Sequence, residues 1–333
     1  MYTNEDLKNA VNEGIFTQDS VEKFRNYIAK EKHSPSVDEE NFRLISGFND
    51  IFVVIASILL LLSASWVTYD INPLLSAIVI AGISWGLAEF FVRKRKMSLP
   101  AIVLLVTFVS SVFLGVLRVF EQITETSLML STALAIVAAF LHWKRFAVPI
   151  TIAAGMLGFV VFLISMFLYL FKAEEIVEYI QYVVLTLGLI TFLFAMYWDA
   201  SDTKRITRNA DVAFWLHLLS APLIVHPVFS LLGIFDAQSG NNTIMIIILL
   251  YIVLSAISLI VDRRVFMVSS LVYVLYALNT LFKTYGIENN SFALTGILIG
   301  FSLLMLSGYW SKARAVLLKF MPAYIQDKVP AAH

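Results

Sequence analysis

Residues 214–229 read FWLHLLSAPLIVHPVF. Two histidines, one serine and two prolines interrupt an apolar run. His217 and His226 can carry a proton near neutral pH, or stay neutral and donate one hydrogen bond. Ser220 adds a hydroxyl one helical turn from His217. Pro222 and Pro227 have no amide N–H, so the carbonyls four residues back, Leu218 and Leu223, lose their helical bonds. Polar side chains beside freed carbonyls make a place where a small solute or a proton can be held. Nine positions separate the two histidines, roughly 900° around a helix, so they face opposite sides of an ideal one. They cannot share a metal ion from a regular helix, and only a break or bend at the prolines would draw them together. His217, Ser220, Pro222, His226 and Pro227 are therefore the expected substrate-binding or pathway residues. No catalytic residue, metal ligand or cofactor is assigned.

The chemistry depends on what surrounds this stretch. The chain has 333 residues, 59% hydrophobic and 14% charged. Globular domains are about half apolar and about a quarter charged. This excess reads as an integral membrane protein whose main partner is the lipid bilayer. The net charge is zero, which argues against nucleic acid as a partner. Cysteine is absent, which excludes disulfides, thiolate metal sites and cysteine nucleophiles. No phosphate-binding loop, zinc-protease motif, nucleophile elbow or dinucleotide fingerprint occurs, so an enzyme is not expected.

About 20 apolar residues cross a bilayer core as a helix. Ten segments qualify: 48–68, 73–92, 100–119, 127–142, 147–171, 177–198, 212–235, 243–261, 264–283 and 291–310. The fold expected is all-α, a polytopic transmembrane helix bundle of about ten spans. The fourth segment is short, which suggests little tilt or a partly re-entrant course. In the seventh, His217 and His226 lie roughly 9 and 22 Å from Asp211 at about 1.5 Å per residue. They bracket the middle of a core about 30 Å thick, where an ionisable side chain marks a pathway or site by default.

Lys and Arg set the orientation. One set of segments holds 21 of them, including Arg93–Lys96, Lys144, Arg145, Lys204, Arg205, Arg208, Arg263 and Arg264. The alternate loops hold three: Arg118, Lys172 and Lys283. The alternation holds across all ten spans and places both termini in the cytoplasm. The outer loops carry N-x-S/T patterns at Asn241 and Asn289, read as chance in Asn-rich turns.

Three parts follow: a cytoplasmic helical hairpin with an interfacial helix over 1–47, the ten-span domain over 48–310, and a cytoplasmic interfacial tail over 311–333. Thr3 and Asp6 resemble a capping box, Gly14 can end the first helix, and Thr17 can cap the second. Leu7, Val11, Ile15, Phe16, Val21, Phe24 and Ile28 can form one apolar seam. Ser36 and Glu39 read as the cap of a third helix lying in the interface. The hairpin is small enough to need a partner, which makes residues 1–47 a candidate surface for self-association or a membrane partner. The first 47 residues are polar, so the first span is expected to act as its own insertion signal.

Glu89 is expected to pair with Arg93 at i+4. Asp199, Asp202 and Asp211, with Lys204, Arg205 and Arg208, read as a solvated loop, and Asp50 and Asp262 as boundary residues. Gly82 and Gly86, and Gly296 and Gly300, form two GxxxG patterns expected to be helix-packing seams within the chain. The turns HWKRFAVP at 142–149, VDRRVFMV at 261–268 and WSKARAVL at 310–317 look alike, as positive-inside turns in apolar helices do. Ten spans divide as five and five, the layout of inverted-repeat transporters.

AFWLHLLSAPLIVHPVF at 213–229 and WSKARAVLLKFMPAYIQDKVP at 310–330 resemble segments of uncharacterised bacterial polytopic membrane proteins, a family of unknown function. The short helical hairpin before the first span resembles theirs too. The resemblance implies the bacterial inner membrane, with His217, Pro222, His226 and Pro227 carrying the motif, and implies no activity. The function expected is transporter-like: binding or moving a small polar or amphipathic solute at the proline-containing seventh span. The alternative is a non-transporting membrane scaffold or sensor working through the hairpin.

Overall fold

In the computed structural model the described residues are 4–31, 48–171, 179–205, 207–233, 241–284 and 290–330. All regular structure among them is helical. Helices α1 (Asn4–Asn12) and α2 (Gln18–Glu31) form the hairpin. The membrane helices are α3 (Phe48–Tyr69), α4 (Pro73–Ala88), α5 (Ser98–Leu117), α6 (Glu125–Phe146) and α7 (Ile150–Phe171). They continue with α8 (Ile180–Ala200), α9 (Arg208–Leu231), α10 (Asn241–Val261), α11 (Val265–Thr284) and α12 (Ser291–Lys319). A last turn, α13, covers Ala323–Gln326.

Nine of these are long and apolar enough to cross a membrane among the described residues, and Met245–Val261 of α10 is a shorter apolar helix. Their outer faces carry large apolar side chains: Leu59 is 65% exposed, Leu62 64% and Trp66 81%. Such a surface is stable only against lipid. The protein is an integral, multi-pass membrane protein.

Local chemistry sets the helix ends. Asn72 accepts from the amides of Leu74 and Leu75 at 2.8 and 3.2 Å, with Pro73 opening α4. Thr124 and Ser127 form a reciprocal capping box that starts α6, and Ala147, left-handed at φ 51°, ends it. These two devices make the fourth span 22 residues long, so the expected short or re-entrant segment is instead a full span. The π-helix Glu89–Lys94 closes the second span. The tenth does not stop at 310. It continues as α12 to Lys319, and Pro322 caps the separate turn α13.

In the hairpin, Gly14 sits at φ +71° after α1, and Thr17 Oγ1 accepts from the Ser20 amide at 3.2 Å. Val21 is buried, whereas Ile15 and Phe16 are 69% and 48% exposed, so the expected seam is only partly closed. Thr3, the segment with Ser36 and Glu39, and Asn289 lie outside the described residues, as do the side chains of Asp6, Ile28 and Asn241.

The chain divides into two compact units. One comprises Met1–Asn41, Ala195–Phe214 and Leu232–His333, and the other Phe42–Phe194 and Trp215–Leu231. In the second, helices consecutive in sequence from α3 to α7 pack on one another, around a cluster of Leu61, Ala88, Ala101, Leu104, Phe146 and Val148. In the first, α10, α11 and α12 pack together around Leu259, Met267 and Trp310.

Candidate functional site

The seventh span is α9, a single helix running through both Pro222 and Pro227. The prolines therefore do not break it. Each removes one bond, and a membrane interior offers the remaining backbone no better partner than the helix itself. Of the nine full spans it is the most buried: 56% of its apolar window, against 11% to 39% for the others.

His217 and Ser220 are both fully buried, whereas His226 is exposed. That is the opposite-face relation the ideal helix requires, so the two histidines do not converge. The His217 ring lies 5.5 Å from that of Phe192 on α8, and Ser220 Oγ donates to the His217 carbonyl at 3.1 Å. Pro227 is buried and Pro222 exposed. The carbonyl that Pro227 frees belongs to Leu223, and Gly188 of α8 lies directly against it. A Cβ on Gly188 would stand 2.8 Å from both the carbonyl carbon and oxygen of Leu223. The close approach of α8 thus falls at the carbonyl to which Pro227 cannot donate, and only glycine fits.

That close approach is absent at the two GxxxG patterns. Among the described residues a Cβ at Gly82, Gly86, Gly296 or Gly300 would meet no atom within 4 Å, so no described helix packs closely on these glycines. Tight packing occurs instead at Gly115, where an added Cβ would stand 2.5 Å from Ala77 Cβ, at Gly158, where one would stand 3.0 Å from Ile136 Cγ1, and at Gly188.

A second polar feature, in the first unit, overturns the solvated-loop reading for Asp199, Asp202 and Arg205, whereas Lys204 and Arg208 are exposed. Asp199, Asp202, Arg205, Asp262, Arg263 and Arg314 are all buried. Arg263 grips Asp199 with two nitrogens at 2.8 and 3.3 Å and donates to the Ala210 carbonyl at 3.1 Å. Its guanidinium also lies 6.0 Å from the Phe214 ring centroid. Arg205 donates to the Asp262 carboxylate at 3.0 Å and to the Asp262 carbonyl at 3.0 Å. Trp310 donates to the other Asp262 oxygen at 2.8 Å, and Arg314 stands 3.5 Å from it. Asp202 accepts from the amide and hydroxyl of Thr207 at 2.7 and 2.6 Å.

Burial first, and then Arg263, push the Arg205 guanidinium below its usual pKa, while Asp262 and Asp199 oppose the shift. A guanidinium still stays charged at any physiological pH. Buried charges survive only when paired, so this network is a structural lock that joins the end of α8, the start of α9, the α10–α11 turn and α12. Its pairs are up to 64 residues apart in sequence. The one local signal was Asp262 beside two arginines in a turn otherwise rich in cations.

The second unit holds a smaller arrangement. Glu89 does pair with Arg93, at 3.3 Å, but its shorter bonds go to Arg145 of α6, at 2.6 and 3.0 Å. One turn inward, His142 is fully buried among Trp85, Phe108 and Phe146, with ring centroids 6.1, 5.9 and 4.6 Å away. Among the described residues neither of its ring nitrogens has a hydrogen-bond partner. Sequence reasoning passed over His142 because it sits near a basic helix end. Among the described residues no group of three or more His, Asp or Glu is placed to hold a metal ion.

No family model, curated protein or solved structure matches the chain. The membrane-protein assignment therefore rests on the helices themselves.

Proposed function

We propose that the protein is a transporter-like component of the bacterial inner membrane, with both termini cytoplasmic. In this reading it binds or moves a small polar or amphipathic solute at the seventh span. The observation that carries the proposal is the pair His217 and Ser220, fully buried together on the most buried full span. At about 1.5 Å per residue from Asp211 they lie roughly 9 and 14 Å along the helix, and with the Ser220 hydroxyl proton given to the His217 carbonyl the imidazole and the hydroxyl oxygen would be the polar groups that meet a solute leaving water. The resemblance of residues 213–229 to uncharacterised bacterial membrane proteins supports the inner-membrane location and carries no activity.

The test uses single cysteines at 217, 220 and 226 in the naturally cysteine-free chain, probed with a membrane-impermeant thiol reagent in intact cells and inverted vesicles. The expected result is labelling at 217 and 220 from water, because a transport cycle must open that face. Silence at both positions from both sides, in folded protein, would sink the proposal. Cysteines at 94 and 204 should label only in inverted vesicles if those loops are cytoplasmic.

A scaffold role has one observation in its favour: the exposed Ile15 and Phe16 on the hairpin. Deleting residues 1–31 separates the two readings. Solute-dependent protection of position 217 survives the deletion in the first and has no counterpart in the second.

A further inference from the structure

We propose that Arg93, Lys94, Arg95, Lys96, Lys144 and Arg145 form a docking surface for the headgroup of an anionic phospholipid. The two basic runs come from different turns, and the Glu89 carboxylate ties them together through Arg145 and Arg93. All six cations are exposed. Among the described residues one carboxylate stands against them, and α3, which packs on α4 and α5, adds only Asp50, whose side chain is buried. The first unit differs: its Arg205, Arg263 and Arg314 are buried and bonded to aspartates. The surface formed by the second and fourth spans therefore keeps an unspent positive charge.

Its position selects a lipid over a soluble anion. The Arg95 guanidinium lies 5.7 Å from the Phe90 ring centroid, and the Lys144 ammonium 5.5 Å from that of Phe140. Phe90 and Phe140 are 44% and 56% exposed on the apolar flanks of their spans. Each ring holds a cation at the edge where lipid-facing helix surface ends. A phosphate meeting these cations would set its acyl chains against the rings below. The turn that presents the cations is tight: the π-helix leads into Lys96, left-handed at φ 52°, and then into buried Met97. A cluster of exposed Lys and Arg at a bilayer boundary attracts anionic headgroups electrostatically.

The experiment reconstitutes the full chain in nanodiscs of phosphatidylcholine, with and without phosphatidylglycerol. It reads the thermal midpoint and, by native mass spectrometry, the number of phosphatidylglycerol molecules retained. Phosphatidylglycerol is expected to raise the midpoint and to be retained by the wild type and by K312Q/K319Q/K328Q. Both effects are expected to be lost in K94Q/R95Q/K96Q/K144Q and restored in K94R/K96R/K144R. Inorganic phosphate added to phosphatidylcholine discs should do nothing. An undiminished gain in the quadruple glutamine variant overturns the proposal, and so does a gain from inorganic phosphate alone. If the quadruple variant does not fold, K144Q is read in its place, and a wild-type gain there overturns the proposal equally.

Discussion

Arg205 and Asp262 are both left-handed, at φ 51° and 61°, and their side chains are bonded to each other at 3.0 Å. Neither is glycine, and two non-glycine residues in that region each carry backbone strain. The chain accepts it because the turn at each position aims a charged side chain inward. The Arg205 guanidinium bonds the carbonyl of Asp262 as well as its carboxylate, so the pair fixes the backbone of the α10–α11 turn as well as its charge. Asp262→Asn isolates the charge, since asparagine tolerates the left-handed conformation and keeps the shape. It leaves Arg205 and Arg314 without their shared counter-charge in a buried site. The expected loss is about 3–5 kcal/mol, as for breaking a buried pair by one partner. Thermal unfolding in detergent measures it, and an unchanged midpoint would show the network to be hydrated in solution.

Gly188 permits a contact that no other residue can make. A Cβ there would meet the backbone carbonyl of Leu223 at 2.8 Å and the Ile224 side chain at 3.0 Å, so the clash with the backbone cannot be relieved by swinging a flexible chain end. Gly188→Ala should cost about 1–3 kcal/mol, the usual price of overpacking. Gly296→Ala, facing open space, should be neutral or slightly stabilising because alanine favours the helix. Equal midpoints for the two variants would contradict the close approach of α8 to α9.

His142→Phe should stabilise the protein by about 1 kcal/mol. The histidine buries two nitrogens without hydrogen bonds among three aromatic rings, and an unsatisfied buried polar group costs about 1–3 kcal/mol. Phenylalanine keeps the ring contacts and removes the unmet polarity at the expense of a little volume. A raised thermal midpoint supports this. A lowered one would mean that the imidazole has a partner in the membrane worth more than the ring contacts.

A bundle of about ten apolar helices was legible in composition, as were Gly14 and Thr17 around the hairpin turn, but span ends were less so: the Thr124 capping box and Ala147 lengthen the fourth span, and α12 runs on to Lys319. The opposite faces of His217 and His226 followed from helical geometry alone. The buried network was not legible. Asp199 and Arg263, or Arg205 and Asp262, look like ordinary loop charges until the fold brings them together, and an i+4 rule sees Arg93 near Glu89 but not Arg145, 56 residues on. The glycine patterns misled for the same reason. GxxxG describes one helix, while a close approach needs the partner, which at Gly188 is the Leu223 carbonyl, to which Pro227, 39 positions after the glycine, cannot donate.

The end of the described chain is held by the same network. Arg314 donates to the Leu259 carbonyl at 3.1 Å, stands beside Asp262, and donates to the Pro330 carbonyl. Val329 is buried next to that contact, and the Gln326 side-chain amide bonds the carbonyls of Leu318 and Met321 at 3.0 and 2.8 Å. Residues 320–330 therefore fold back onto α12. Arg314→Gln removes a charged donor from Pro330, worth about 1.5–3 kcal/mol, so the tail should open roughly ten- to a hundredfold more often. Digestion by a carboxypeptidase well below the midpoint, followed by mass spectrometry, reads that opening, because cleavage tracks the open population when opening and closing are fast. Asp262→Asn is the control: it lowers global stability but leaves the Arg314–Pro330 bond in place. Faster trimming in Arg314→Gln than in Asp262→Asn places the latch at Arg314. Equal rates in the two would assign the effect to loss of the network as a whole, and the tail would then have no latch of its own.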